Sequence, residues 1–210
     1  MNAKLIQRGG RSLVFGFGLS GQSVVRYCVR QSMPFQVIDT RSLSFETLPD
    51  VNMFARPVVG AQLAALCKTQ QGCDELLQNV ERIVVSPGLA LDHPLLIAAR
   101  SADIPLTNDV QLFVDHLQQS GTNCQVAAVT GSNGKSTVVS ALAQWADFLG
   151  FPAHALGNIG TAVLDALPTI QDGDKVILEL SSFQLELIER LGADCAVLLN
   201  LTPDHLDRHG

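Results

Sequence analysis

No stretch of this chain approaches the roughly 18 apolar residues that a membrane-spanning helix needs, so membrane insertion is not expected. The segment Met1 to Gly10 has no apolar core of the kind a secretory leader carries, and a cytoplasmic protein is therefore expected. Charge is scarce. Asp, Glu, Lys and Arg together make up 16% of the residues, and the formal net charge is -6. That balance disfavours a general nucleic-acid binder, so any phosphate recognition must come from local geometry. The five cysteines are an odd number and form no C-x-x-C pair, which argues against a disulfide framework or a zinc site. Cys28, Cys67, Cys73, Cys124 and Cys195 read mostly as small core residues. Disorder is disfavoured as well, because 47% hydrophobic residues can bury a substantial core. Two small domains or one large one fit within 210 residues.

The most informative stretch is Val126 to Thr137. An apolar run ends at Thr130, Gly131 and Gly134 frame Ser132 and Asn133, and Lys135, Ser136 and Thr137 follow. A helical pattern comes next, with Val138, Leu142, Trp145 and Leu149 spaced for one face and Ala141 and Phe148 beside them. Strand, glycine turn, Lys-Ser-Thr and helix together wrap backbone N–H groups around phosphate. The helix N-terminus and the lysine add positive charge, and the hydroxyl can reach magnesium. The strict G-x-x-x-x-G-K-[ST] pattern is absent, because Val129 stands where its first glycine would be. The shorter form runs from Thr130 to Thr137.

Upstream, Ser12 to Phe15 reads as a strand, and Gly16-Phe17-Gly18-Leu19-Ser20-Gly21 fits G-x-G-x-x-G. A helix carrying Val24, Val25, Cys28 and Val29 on one face is bounded by Pro34. A second strand, Phe35 to Ile38, ends at Asp39, close to the dinucleotide pattern in which an acid about 20 residues on holds a ribose hydroxyl. Three readings stay open: a nicotinamide or flavin site, another nucleotide held by the same loop, or a glycine turn needed only for packing. Thr40 and Arg41 add a hydroxyl and a cation suited to phosphate or uracil.

Strand and helix continue to alternate. Val51 to Phe54 reads as a weak third strand, Ala61 to Lys68 and Asp74 to Asn79 as helical, and Arg82 to Val85 as a clear strand ending in Ser86-Pro87-Gly88. Strand C-termini are where open parallel sheets place ligands. His93 to Ala102 reads as helix and Ile104 to Leu106 as strand. Thr107, Asn108 and Asp109 supply caps for a further helix bearing Val110, Phe113, Val114 and Leu117. This describes a Rossmann-like parallel-sheet domain over residues 1–120, with a boundary in the polar stretch Gln118 to Asn123. Residues 121–210 read as an α/β phosphate-loop domain. Its other strands are Phe151 to Leu156, Lys175 to Leu178 and Cys195 to Leu199, with a short helix ending at Leu167.

A phosphate-loop nucleotide needs hard oxygen ligands for its metal, normally near the end of a neighbouring strand. Glu179 ends an otherwise apolar strand, and acids in such places are rare unless paired or bound to a cation. His205 lies between Asp204 and Asp207. Ser136, Glu179 and His205 all fall at the same edge of one expected sheet.

Taken in order, these motifs resemble the Mur ligase family. The matching stretches are Gly18 to Gly21, Asp39-Thr40-Arg41, Ser86-Pro87-Gly88, Thr130 to Thr137, Gly157-Asn158-Ile159-Gly160, Glu179 to Glu186 and Asp204 to Arg208. The run Leu180 to Glu186 favours the branch that adds D-glutamate. The resemblance implies an ATP- and Mg2+-dependent ligase of peptidoglycan synthesis, acting on UDP-N-acetylmuramoyl-L-alanine through an acyl phosphate. It implies that Gly18, Leu19, Ser20, Thr40 and Arg41 hold the uridine diphosphate end, and that Ser86, Gly88 and Asn158 line the rest of the path. Ser181, Gln184 and His205 would also touch substrate. Gly131, Asn133, Gly134, Lys135, Ser136 and Thr137 would hold ATP. Lys135, Glu179 and His205 would be catalytic, and Ser136, Glu179 and His205 would hold magnesium. A monomer is expected.

The resemblance also implies parts that do not appear before Gly210: a later modified lysine, most of the adenine pocket and an amino-acid-binding domain. The expectation is an N-terminal piece that binds the UDP end without turning over. Its second sheet would be the less stable of the two and would have an exposed edge.

Overall fold

The computed structural model describes residues 10–43, 53 and 55–206. The chain divides into two compact units, Met1–Asp109 and Val110–Gly210.

In the first unit, five parallel strands pair in the order β3-β2-β1-β4-β5: β1 (Arg11–Phe15), β2 (Phe35–Asp39), β3 (Val58–Val59), β4 (Val80–Val85) and β5 (Leu106–Thr107). Each of the two neighbouring central strands, β1 and β2, is buried along its whole length. That is why the apolar runs Leu13-Val14-Phe15 and Val37-Ile38 are nearly continuous rather than alternating: both faces of a parallel sheet are covered. The covering helices are α1 (Leu19–Arg30), α2 (Gly60–Leu66), α3 (Gln70–Leu77) and α4 (Pro94–Ser101). Helix α1 buries Val24, Val25 and Cys28, as its periodicity predicts, and Tyr27 as well, while Val29 is only part-buried. Arg11 is buried, and its guanidinium donates to the carbonyls of Leu76 at 3.0 Å and Gln78 at 2.5 Å. It thereby serves the C-terminal end of α3, where helical carbonyls lack partners.

The expected strand at Val51 to Phe54 lies outside the described residues except for Met53, which makes an isolated bridge to Phe35. The paired third strand is Val58–Val59 instead, which reaches β2 at Ile38 and Asp39.

The second unit opens with α5 (Asp109–Ser120), whose last eleven residues group with it rather than with the first sheet. Gln111 shows why: its carboxamide oxygen accepts from the N–H groups of Glu189 and Arg190, and its nitrogen donates to the Arg190 carbonyl. Polar caps at Thr107 to Asp109 say that a helix starts there, but not which sheet it packs on. The compact division therefore falls before this helix, and the sequence-based boundary falls after it. Four parallel strands follow in the order β7-β8-β6-β9: β6 (Gln125–Thr130), β7 (Ala153–Gly157), β8 (Lys175–Glu179) and β9 (Cys195–Leu198). Helices α6 (Lys135–Phe148), α7 (Val163–Ala166) and α8 (Ser182–Leu185) connect them.

Helix α6 corrects one expectation. The face it buries carries Val139 and Ala143, with Val138 and Leu142 part-buried beside Val129 and Ile177. Trp145, Phe148 and Leu149 point outward, with 64%, 85% and 59% of their surface exposed. The apolar residues cover more of the helix circumference than one sheet can cover, so spacing alone selected the wrong stripe. The residues of β9, the last strand in this order, are exposed along the strand.

Candidate functional site

The order of the first sheet reverses between β1 and β4, and there a crevice forms outside the strand C-termini. A cavity of about 470 Å³ occupies it, lined by Gly16, Gly18, Leu19, Ser20, Asp39, Thr40, Arg41, Ser86, Pro87, Gly88 and Leu89. All seven residues expected to hold substrate in this unit therefore share one pocket. Leu19 is 82% exposed and Arg41 carries a largely exposed guanidinium, so an apolar surface and a cation are both available to a ligand.

The three glycines of the first loop serve different ends. A Cβ at Gly21 would lie 1.9 Å from the Gly16 carbonyl oxygen, so this glycine is required for α1 to approach β1. Gly16 has φ +97°, and its carbonyl accepts the Ser86 hydroxyl at 3.2 Å, tying β1 to β4. Around Gly18 there is nothing within 4 Å of an added Cβ, and the same holds for Gly88 across the pocket. Neither has a left-handed backbone. The protein itself does not require glycine at either place, and the space both leave open belongs to the cavity.

Asp39 is buried, with both carboxylate oxygens engaged. One accepts the Arg41 N–H at 2.8 Å and Arg41 Nε at 3.0 Å; the other accepts the Phe17 N–H at 2.7 Å and Arg41 Nη2 at 2.8 Å. Burial pushes this carboxyl up, but the bonds and charge of Arg41 and the Phe17 N–H outweigh it and hold it below the usual range. Four donors from the protein occupy the acceptor positions that a ribose diol would need. In this unit Asp39 fastens the first loop to Arg41, which weighs against the first of the three open readings, in which it would hold a ribose.

In the second unit, Thr130 to Thr137 does link a strand to a helix N-terminus. Gly134 caps α6 in the left-handed region at φ +84°, and Gly131 sits at φ +145°. Lys135 Nζ donates to the carbonyls of Gly131 at 2.5 Å and Ser132 at 3.0 Å, so its charge lies over the loop. Asn133, Gly134, Ser136 and Thr137 are exposed, and helical geometry leaves the first N–H groups of α6 without carbonyl partners.

Register places Glu179 beside this loop: β8 pairs with β6 at Glu179 and Val129, and with β7 at Glu179 and Gly157. Glu179 is 2% exposed. Its Oε1 accepts the Asn158 side chain at 3.2 Å, and its Oε2 is buried with no hydrogen-bond partner. A buried, unpartnered carboxylate oxygen next to a phosphate-type loop fits a hard cation. His205 is placed differently. It is exposed, its ring lies 4.8 Å from that of Phe183, and its Nε2 is 3.8 Å from Asp204. Among the described residues no group of three or more His, Cys, Asp or Glu gathers as a metal site. Asp207 and Arg208 lie outside the described residues.

Ser181 and Gln184 are brought together, but with each other. They form a reciprocal capping box at the start of α8, and Gln184 is buried. The S-x-x-Q spacing was the signal that could have shown this. The segment Asn200 to Thr202, for which sequence reasoning assigned no role, holds the tip of the second loop.

Two parallel α/β units, each with a glycine-rich loop between a strand end and a helix, define the class. The description "Mur ligase MurD-like, N-terminal domain" matches residues 10–108, and "Mur ligase middle domain" matches residues 129–210. The chain belongs to the Mur ligase family. It is 38% identical over 210 residues to UDP-N-acetylmuramoylalanine–D-glutamate ligase of Psychrobacter cryohalolentis, covering 98% of this chain and 41% of that protein. To the same-named protein of Legionella pneumophila it is 41% identical over 197 residues, covering 94% and 41%. The chain thus spans about two fifths of the length of these curated relatives. Among solved structures, UDP-N-acetylmuramate:L-alanyl-gamma-D-glutamyl-meso-diaminopimelate ligase from Neisseria meningitides matches with a TM-score of 0.51 at 17% identity, covering 96% of this chain and 63% of that one. A murein peptide ligase from Psychrobacter arcticus matches at 0.50 and 15%, covering 94% and 44%. These likenesses show the fold. Among the described residues no helix is long and apolar enough to cross a membrane.

Proposed function

We propose that the protein is an ATP-dependent ligase that joins D-glutamate to UDP-N-acetylmuramoyl-L-alanine in the cytoplasm. These residues would provide its UDP-substrate domain and the phosphate-loop part of its ATP domain. The observation that carries the reading is the cavity at the β1–β4 reversal, where Gly18 and Gly88 leave room that no packing need explains. Leu19 offers an apolar face to a base, Thr40 a hydroxyl, and Arg41, aimed by Asp39, a cation for uracil or diphosphate. The names of the relatives supply the substrate and the amino acid.

In this reading the substrate carboxylate attacks the γ-phosphate of ATP and ADP leaves. The D-glutamate amine then displaces phosphate from the acyl phosphate to form the amide. The N–H groups from Gly134 to Thr137, at the start of α6, bind phosphate oxygens, and Lys135 turns from its two loop carbonyls toward them, neutralising charge on the phosphoryl group. Magnesium would be held by the Ser136 hydroxyl and the Glu179 carboxylate, with His205 contributing to a second ion, and would supply further neutralisation. Asn158 would keep Glu179 oriented through the bond to Oε1.

Titration of this chain with UDP-N-acetylmuramoyl-L-alanine, followed by NMR, tests the reading. Shifts are expected at Leu19, Ser20, Thr40 and Arg41, competed by UDP and not by NADH. Silence at these residues in a folded sample refutes it. A nicotinamide site is disfavoured by Asp39, whose acceptor positions are taken by Phe17 and Arg41.

A further inference from the structure

Besides the Lys135 bonds to the Gly131 and Ser132 carbonyls, the tip of the second loop is held from outside its own strand and helix. Five hydrogen bonds join Ser132 and Asn133 to the segment that leaves β9. The Asn133 N–H donates to Asn200 Oδ1 at 2.9 Å, and Asn200 Nδ2 donates back to the Asn133 carbonyl at 2.9 Å. The Ser132 N–H donates to the Asn200 carbonyl at 3.2 Å. The Ser132 hydroxyl donates to the Thr202 carbonyl at 3.0 Å and lies 2.9 Å from the Thr202 N–H. A separate observation points to the same place. A Cβ on Gly131 would sit 3.1 Å from the Asn200 carbonyl oxygen and 3.2 Å from its nitrogen, so the glycine lets this segment close on the loop.

We propose that Asn200 is a positioning residue for the phosphate loop. Its side chain spans both backbone polar groups of Asn133, and it fixes where the loop turns from the tip into Gly134 and Lys135. The carbonyls of Gly131 and Ser132, which accept the Lys135 ammonium, belong to the same clamped tip. Since Asn200 and Thr202 lead directly to Asp204 and His205, the clamp also ties that segment to the state of the loop. Both clamping residues are exposed, so the bonds are not a by-product of core packing. The inference rests on reading Thr130 to Thr137 as a nucleotide phosphate loop.

The test measures binding of ATP with Mg2+ by calorimetry, together with amide hydrogen exchange, for the unaltered chain, Lys135→Ala, Asn200→Ala and Ser132→Ala. Asn200→Ala is expected to weaken ATP about tenfold. It should also speed exchange from Ser132 to Lys135 at least tenfold while leaving the thermal midpoint and the exchange of β6 and β8 in place. Ser132→Ala, which severs the bonds to Thr202, should weaken ATP in the same direction and loosen residues 202–205. If the unaltered chain binds neither ATP nor inorganic triphosphate, which needs no adenine pocket, the reading of the loop falls and this inference with it. If binding depends on Lys135 but Asn200→Ala changes neither affinity nor loop exchange, only the positioning role is overturned. Loss of protection throughout β6 and β8 in Asn200→Ala would make the residue a general structural support and overturn it equally.

Discussion

Gly21 is buried in α1 while Gly88 lines the crevice, and the structure gives them opposite reasons to be glycine. A methyl group at position 21 would meet the Gly16 carbonyl oxygen at 1.9 Å and its carbon at 2.9 Å. Carbon–oxygen contacts settle near roughly 3.3 Å, so α1 would have to lift from the end of β1. That shift strains the bond between the Gly16 carbonyl and Ser86 as well. Overpacking of this kind costs about 3 kcal/mol. For a domain near this size, that lowers the thermal midpoint by roughly 12–24 °C. Gly88→Ala meets nothing within 4 Å and has no left-handed backbone to strain. Its stability should stay within about 1 kcal/mol of the original, and a slight gain is expected because alanine restricts the unfolded chain. The methyl group nevertheless enters the cavity, and UDP should bind about tenfold more weakly, or about 1.4 kcal/mol. Scanning calorimetry of the first unit's transition and titration with UDP well below that transition separate the two effects. Unchanged UDP affinity in Gly88→Ala would show that the open space is not ligand space. A normal midpoint in Gly21→Ala would refute the packing argument.

Other outcomes follow from single contacts. Asp39→Asn removes a charged acceptor from Arg41 and Phe17 and should cost about 2 kcal/mol. The folded carboxyl titrates below its ordinary value, so its stabilisation is complete above about pH 4 and is lost as pH falls through the depressed pKa. Acid titration of the unfolding free energy should show this loss in the original and not in the variant. His93 is opposite in kind. Burial lowers its pKa against the raising effect of Asp92, and its Nδ1 accepts the Leu95 N–H at 3.3 Å, so the folded state favours the neutral ring. Stability should fall as pH drops from about 6.5 toward the depressed folded value, and His93→Gln should flatten that part of the unfolding curve. Thr69 caps α3 by accepting the Gly72 N–H at 3.1 Å, so Thr69→Ala should lower unfolding free energy by about 1 kcal/mol in urea titration. Glu179→Gln should leave folding near normal but remove the Mg2+ dependence of ATP affinity, measured by calorimetry with and without the ion. Retained dependence would exclude this carboxylate as a ligand.

Much of the architecture was legible because parallel strands buried on both faces read as short apolar runs. The runs ending at Phe15, Val85 and Thr130 stand where those strands stand. The loop glycines and the acid at Glu179 were visible as punctuation at strand ends. Less legible were residues whose meaning depends on a partner distant in sequence. Gln111 assigns α5 to the second unit through bonds to Glu189 and Arg190, and Asn200 reaches back 67 residues to Asn133. No local period records such contacts. The capping box of Ser181 and Gln184, by contrast, is legible in their S-x-x-Q spacing, because it closes within one helical turn.

The amino-acid sequence alone determined the alternation of strand and helix, the two glycine loops and the family, because these rest on local conformation and on order along the chain. Only the tertiary structure decided which glycines serve packing and which leave room for a ligand. It also decided that Asp39 holds Arg41 and the Phe17 N–H, and that α6 turns Val139 and Ala143 inward while Trp145 faces out. The physical reason is common to all three. A side chain's role depends on which groups from other strands come within bonding or clashing distance, and the closing of the sheets alone sets those distances.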